Sequence, residues 1–156
     1  MRGRARQIAM RQRALQAADT TAPTEASATV AANGTALTVV FAEPVRGFAA
    51  GANGFALTPS GAAATLTYVS GDDSTSIVFT ISRVIGSTET LTLAYTPGVI
   101  VDDSGNPLAA FSGAAVTNNS TQVPASLSSA TIQTNGTSLN VVYSAAVSGF
   151  ASGAEG

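Results

Sequence analysis

The chain states one of its stretches twice. Residues 28–54 read ATVAANGTALTVVFAEPVRGFAAGANG, and residues 130–156 read ATIQTNGTSLNVVYSAAVSGFASGAEG. More than half of the aligned positions are identical, and no gap is needed. The offset of about 100 residues is the length of a small domain, so the period denotes tandem domains and not a short-repeat solenoid. The second copy stops where the first is barely under way. Its hairpin would leave Leu139, Val141, Tyr143 and Phe150 with no opposing sheet. A lone hairpin is marginally stable at best. The expectation is that the sequence belongs to a longer protein or that another subunit completes the second fold.

Residue choice says what kind of domain is repeated. Only 10% of the residues are charged, and the polar ones are mostly Thr, Ser, Asn and Gly. With abundant Val and Leu, that mixture favours strands and tight turns over helices. No apolar run approaches the length of a membrane-spanning helix. Cys is absent, which removes disulfides and thiolate chemistry. His and Lys are absent too, so there is no imidazole base, no Schiff base and no P-loop lysine.

The net charge of −2 hides an asymmetry. Arg2, Arg4, Arg6, Arg11 and Arg13 make up five of the seven basic residues, and the remainder of the chain sets Arg46 and Arg83 against nine carboxylates. The body is acidic, which argues against nucleic-acid binding by it. Residues 1–21 have no continuous apolar core behind their basic start, so they are not read as a secretory signal. Good helix formers over residues 4–18 predict a helix. Ile8 and Leu15, a heptad apart, give it one weak stripe. Arg2, Arg4, Arg6, Ile8, Arg11, Arg13 and Leu15 are the candidate partner-anchoring residues, suited to an acidic protein surface. Residues 22–27 read as a linker.

In the body the period falls to two. Strands are expected at residues 26–31, 35–42, 55–58, 63–70, 76–84, 89–96 and 113–118, with 99–101 briefly extended. Asn33-Gly34 predicts a two-residue hairpin turn, both positions tolerating positive φ. Pro44 is expected to end the second strand. Leu37, Val39 and Phe41 should share a face, as should Ile77, Phe79 and Ile81, and Leu91, Leu93 and Tyr95. About seven short strands separated by turn signals predict an all-β chain: an antiparallel Ig-like β-sandwich over residues 28–120, preceded by the short N-terminal α-helix. Residues 121–128 form a second linker, and 129–156 begin a second, incomplete Ig-like repeat.

Two stretches then point to a family. ANGTALTVVFAEPV and TNGTSLNVVYSAAV resemble the opening strands of bacterial Ig-like repeats of the SwmB type. YTPGVIVDDSGNPLAAFSGAAVTNNS resembles their end, with the turn D-x-x-G-N and the last strand F-S-G-x-A-V-x-N. The resemblance covers nearly all of residues 28–120 and restarts at 129. It implies spacers and binding platforms without shared catalytic residues, as in large surface adhesins; similar modules decorate phage capsids and tails. The Arg-rich start departs from the pattern of a secreted adhesin.

The metal candidate is Asp102, Asp103 and Asn106, whose carboxylates, amide and intervening glycine suit Ca²⁺. The competing reading is an Asx turn before the last strand, in which Asp and Asn bond their own backbone. Asp72-Asp73 reads as an exposed turn. Adjacent acids point in different directions, so no catalytic carboxylate pair is expected, and no serine has an activating base. No other cofactor is implied.

The leading functional expectation is a non-enzymatic structural protein of a phage virion: capsid decoration, collar or tail fibre. It would be a homo-oligomer docked on other virion proteins by its N-terminal helix. Its Ig-like domains would serve assembly or weak adhesion, with any host-surface or glycan ligand bound beyond Gly156. The alternative is a bacterial cell-surface or secreted adhesin with tandem Ig-like repeats. A carbohydrate-binding accessory module comes third, and the absence of Trp weighs against it.

Overall fold

The computed structural model describes residues 19–123 and 125–145. The helix expected over residues 4–18 lies outside the described residues, and so do its anchoring candidates Arg2, Arg4, Arg6, Ile8, Arg11, Arg13 and Leu15.

Strand boundaries follow the period-two pattern closely. The body holds β1 (Glu25–Val30), β2 (Ala36–Arg46), β3 (Phe55–Pro59), β4 (Leu66–Ser70), β5 (Ser74–Ile81), β6 (Leu91–Tyr95), the two-residue β7 (Val101–Asp102) and β8 (Phe111–Asn118). The second copy holds β9 (Leu127–Ile132) and β10 (Leu139–Tyr143). β1 begins at Glu25, inside the expected linker, where Pro23 is already buried and the Thr24 carbonyl accepts a bond from Ala42 N at 2.9 Å.

The sandwich expectation is corrected. The body is one eight-stranded mixed sheet in the order β3-β6-β8-β1-β2-β5-β4, with β7 added beside β2, and it curls into a half-barrel. Two features of β8 join what would otherwise be two sheets. Its first part pairs with β6 (Leu93 opposite Ala114, Tyr95 opposite Phe111), and its last part pairs with β1. The pairing with β1 is parallel, Ala28 opposite Val116 and Val30 opposite Asn118, so the sheet is mixed and not antiparallel. The register of β8 shifts across Gly113, whose φ of 70° suits a bulge that re-aims the strand.

Two local expectations are corrected as well. The β1–β2 turn is a four-residue loop closed by Ala31 N to Ala36 O. Only Gly34 has positive φ, at 71°; Asn33 instead accepts the Thr35 amide on its side-chain oxygen at 3.1 Å. Pro44 lies inside β2, where the β2–β5 register skips from Val40 to Val45, so its missing N–H interrupts no ladder bond there.

The curl wraps one core. Leu37, Val39, Ile77, Phe79 and Leu93 have no exposed surface, and the three predicted face triplets all point inward. Each such side chain contributes about 1.5–3 kcal/mol by leaving water. The seven aromatics of the body, residues 19–123, meet in one cluster. Phe55 on edge strand β3 lies 4.8 Å from Tyr95, 5.3 Å from Phe79 and 6.2 Å from Phe48. Phe48, from the β2–β3 loop, stacks at 5.2 Å on Tyr68 of the other edge strand, β4. That loop is held by Asp72, whose Oδ1 accepts the amides of Gly47 and Phe48, and by Tyr68 N to Gly51 O at 2.8 Å. The sheet edges thus close over the core through Phe48 and not through backbone pairing.

The second copy repeats the first hairpin in register. Val30 opposite Leu37, Ala28 opposite Val39 and Glu25 opposite Phe41 become Ile132 opposite Leu139, Ala130 opposite Val141 and Leu127 opposite Tyr143. Every pair is displaced by 102 positions, and the irregularity next to the last pair is kept. The turn is kept too: Gly136 has φ 69°, and Asn135 accepts the Thr137 amide at 3.0 Å.

Candidate functional site

One end of β2 and the short β7 bring two of the body's acidic residues together, and Asp19 joins them. Val45 pairs with Asp102 and Arg46 with Val101, which sets Glu43 of β2 near Asp102. Asp102 is 1% exposed, and its backbone and side chain both organise the turn that follows. Oδ1 accepts the amides of Ser104 and Asn106, each at 2.8 Å, and Oδ2 accepts Asn106 Nδ2 at 2.7 Å. Gly105, at φ 89°, closes the loop. This is the Asx turn anticipated as the competing reading of D-D-S-G-N. Burial pushes the Asp102 carboxyl up, but the bonds from Asn106, Ser104 and Gly105 outweigh it, and the group sits below the usual carboxylate range.

The three residues singled out for calcium do not converge. Asp102 and Asn106 meet. Asp103 faces Arg46 instead, with Nη1 to Oδ1 at 3.3 Å and Nη2 to the Asp103 carbonyl at 2.9 Å. What joins Asp102 is Asp19 and Glu43: one carboxylate oxygen from each lies within 4.8 Å of the others. Asn106 Nδ2 ties the Asp19 carbonyl into the same corner at 3.1 Å. Desolvation, then the charges of Asp102, Asp19 and Asp103, push the Glu43 carboxyl up. Three oxygens at this spacing match the donor type a hard cation takes. However, Asp102 already accepts three hydrogen bonds, which leaves it less free to act as a ligand. The acids Asp19 and Glu43 escape sequence reasoning because they lie far from Asp102 along the chain: the β2–β7 pairing brings Glu43 in, and the bond from Asn106 brings in Asp19.

A second polar centre is structural. Arg83 and Glu89 form a two-pronged ion pair, Nη1 to Oε1 at 2.8 Å and Nη2 to Oε2 at 2.5 Å. Arg83 also donates to the Ala62 carbonyl, and Glu89 accepts the Gly86 amide at 2.7 Å. The hydrogen bond from Arg83 is the main cause holding the Glu89 carboxyl down at about 2. Asn118 Nδ2 donates to the carbonyls of Gly86 and Glu89, and Ser120 Oγ donates to the Ile85 carbonyl at 2.6 Å. This network pins the β5–β6 loop to the end of β8.

Neither centre joins a nucleophile to a base. No described helix is long and apolar enough to cross a membrane.

No family model matches the chain, and no curated protein does. Three solved structures do, all of the bacterial S-layer protein SbsC. Its N-terminal part superposes with a TM-score of 0.50 at 20% identity over 84% of this chain and 30% of that one. A longer form of the S-layer protein and a structure of its domains 1–6 each give 0.53 at 20% identity, over 85% of this chain and 18% of theirs. The chain therefore spans less than a third of the structures it matches, and the likeness is one of fold. Coverage of 85% exceeds what residues 1–123 of the 156 could supply, so the likeness runs on into the second copy.

Proposed function

We propose that this chain is part of a non-enzymatic structural protein of the bacterial cell surface, built from tandem β modules with SwmB-type motifs that act as spacers. The observation that carries this reading is the repeated hairpin within a fold whose solved neighbours are domains of an S-layer protein. The functional groups of the body are spent on architecture: Asp102 on its turn, Glu89 and Arg83 on a loop, Asp72 on the loop bearing Phe48. The seven body aromatics pack among themselves, with Phe41, Phe55, Phe79 and Tyr95 buried, which weighs against the carbohydrate-binding reading. The virion reading, as anchor or as localisation, keeps only its basis in residues 1–21.

The test is surface shaving of intact producing cells with protease, followed by identification of the released peptides. Body peptides released before lysis are expected. Release only after lysis, or recovery only from phage particles, overturns the proposal.

A further inference from the structure

The internal duplication shows where the body stops and the second copy begins. The base of the first hairpin is closed by the Thr24 carbonyl, which accepts the Ala42 amide at 2.9 Å. The Ser126 carbonyl accepts the Ser144 amide at 2.8 Å, the same bond displaced by the same 102 positions. Ser126 is therefore already part of the second hairpin. Gln122 is still part of the body, since its carbonyl accepts the Ser87 amide at 2.7 Å. Between these two held positions lie Val123, Pro124 and Ala125. Four peptide units span at most about 14 Å. That is less than the width of a 100-residue domain, whose radius of gyration alone is about 13 Å. Proline at 124 fixes its own φ and biases the residue before it to extended backbone.

The exit from the body is held from two sides. On one side, Asn119 N donates to the Val30 carbonyl at 3.1 Å and Thr121 N to the Ala32 carbonyl at 3.0 Å. On the other, Ser87 N donates to Gln122, and Ser120 Oγ donates to the Ile85 carbonyl at 2.6 Å. Ser120 joins the two sides. It is 6% exposed, one of two buried polar residues among those described, and its Oγ also accepts the Gln122 amide at 3.1 Å. Asn118 steadies it: Oδ1 accepts the Ser120 amide at 3.0 Å, while Nδ2 donates to the carbonyls of Gly86 and Glu89. The β1–β2 turn leaves just enough room, since a Cβ on Gly34 would lie 3.0 Å from Ser120 Oγ. Displacing a buried hydroxyl whose donor and acceptor are both used is costly. Residues 119–122 follow β8 but are held by the body as firmly as a strand end.

We infer that residues 119–122 are a brace that sets the direction in which the chain leaves the body, with Ser120 as its positioning residue. The second module then follows on a directed link of three residues, and modules in a row behave as a stiff rod and not as beads on a string. Without the brace the link would start at Asn118 and gain the torsional freedom of four more residues. This inference rests on the tandem-module part of the proposed function and not on its cell-surface part. A failed shaving experiment leaves it standing, and its own failure leaves the location untouched.

The full 156-residue chain has no Cys, so spin labels sit only where cysteines are introduced. Thr80→Cys with Ser128→Cys reports the distance across the link, and Thr80→Cys with Thr92→Cys reports a distance within the body. Electron–electron double resonance should give a distribution across the link at most about twice as wide as the one within the body. Ser120→Ala should at least double the width across the link and leave the width within the body unchanged. Ser87→Pro, which removes the donor to Gln122, should do the same, as should Gly-Gly-Ser inserted after Val123. In hydrogen exchange, Ser120→Ala should speed the Thr121 and Gln122 amides at least tenfold while the amides of β2 keep their rates. Where Ser120→Ala disturbs the pair within the body, Ser87→Pro alone decides. A starting width equal to that of the insertion variant, an unchanged width in the substituted chains, or unchanged exchange in Ser120→Ala would each overturn the inference.

Discussion

Gly34 and Gly136 are the same residue in the same turn, and they should respond differently to the same change. Alanine at Gly34 meets both a positive φ and the Ile85 carbonyl, so Gly34→Ala should cost at least about 2 kcal/mol. Gly136→Ala meets only the backbone penalty, about 1 kcal/mol within the hairpin, and should leave the body's Tm where it was. Thermal melts of the two variants check this. Two carboxylates should titrate with opposite effects. Glu89 is held at about 2 by Arg83, so its contribution is present above its unfolded pKa near 4.5 and fades as pH falls toward 2. Acid melts of Glu89→Gln should lose that dependence, with on the order of 2 kcal/mol missing at neutral pH. Glu43 is pushed the other way by desolvation and by Asp102, Asp19 and Asp103, so its charged form works against folding above its raised pKa. Glu43→Gln should raise Tm at pH 7 and change little at pH 4. A cation held by Asp19, Glu43 and Asp102, a set other than the expected Asp102, Asp103 and Asn106, would instead make the same substitution costly in calcium buffer alone.

At the scale of elements, the two hairpins form a natural control. Val39→Ala removes buried methyls from a covered strand and should cost about 2 kcal/mol. Val141→Ala, at the equivalent place in β10, should stay within about 0.5 kcal/mol by denaturant melts of the body. The existence of these strands was legible because Leu37, Val39 and Phe41, or Ile77, Phe79 and Ile81, alternate cleanly between turn residues. Their assembly was not. Nothing local in FSGAAVTN says that its two halves serve different neighbours, or that β1 takes it in parallel; that choice depends on contacts nearly ninety positions apart (Ala28 and Val116). The candidate site divides along the same line. Asp102 and Asn106 were readable because a four-residue spacing suffices for an Asx turn. Asp103 turns instead to Arg46 of β2, a partner that no local spacing announces. Pro44 looks like a stop from its own neighbours alone, because the register skip that tolerates it lives in the β2–β5 pairing.

At the scale of the whole molecule, the body is held by one continuous sheet whose first and last long strands lie side by side. β1 and β8 run in the same direction, and Asn119 N to Val30 O and Thr121 N to Ala32 O extend their contact beyond the ladder. The chain therefore enters at one end of this pair and departs at the other. Traction applied along the polypeptide would pull the two strands past each other lengthwise. Every bond between them would bear the load at once, with none peeled ahead of the rest. In a force spectrometer, the body gripped through its two ends should yield at higher force than the same body gripped through residues in the β1–β2 loop and at its N-terminal end, where the hairpin opens bond by bond. The parallel pair that makes the sheet mixed is thus the part of the body that would carry tension along the chain.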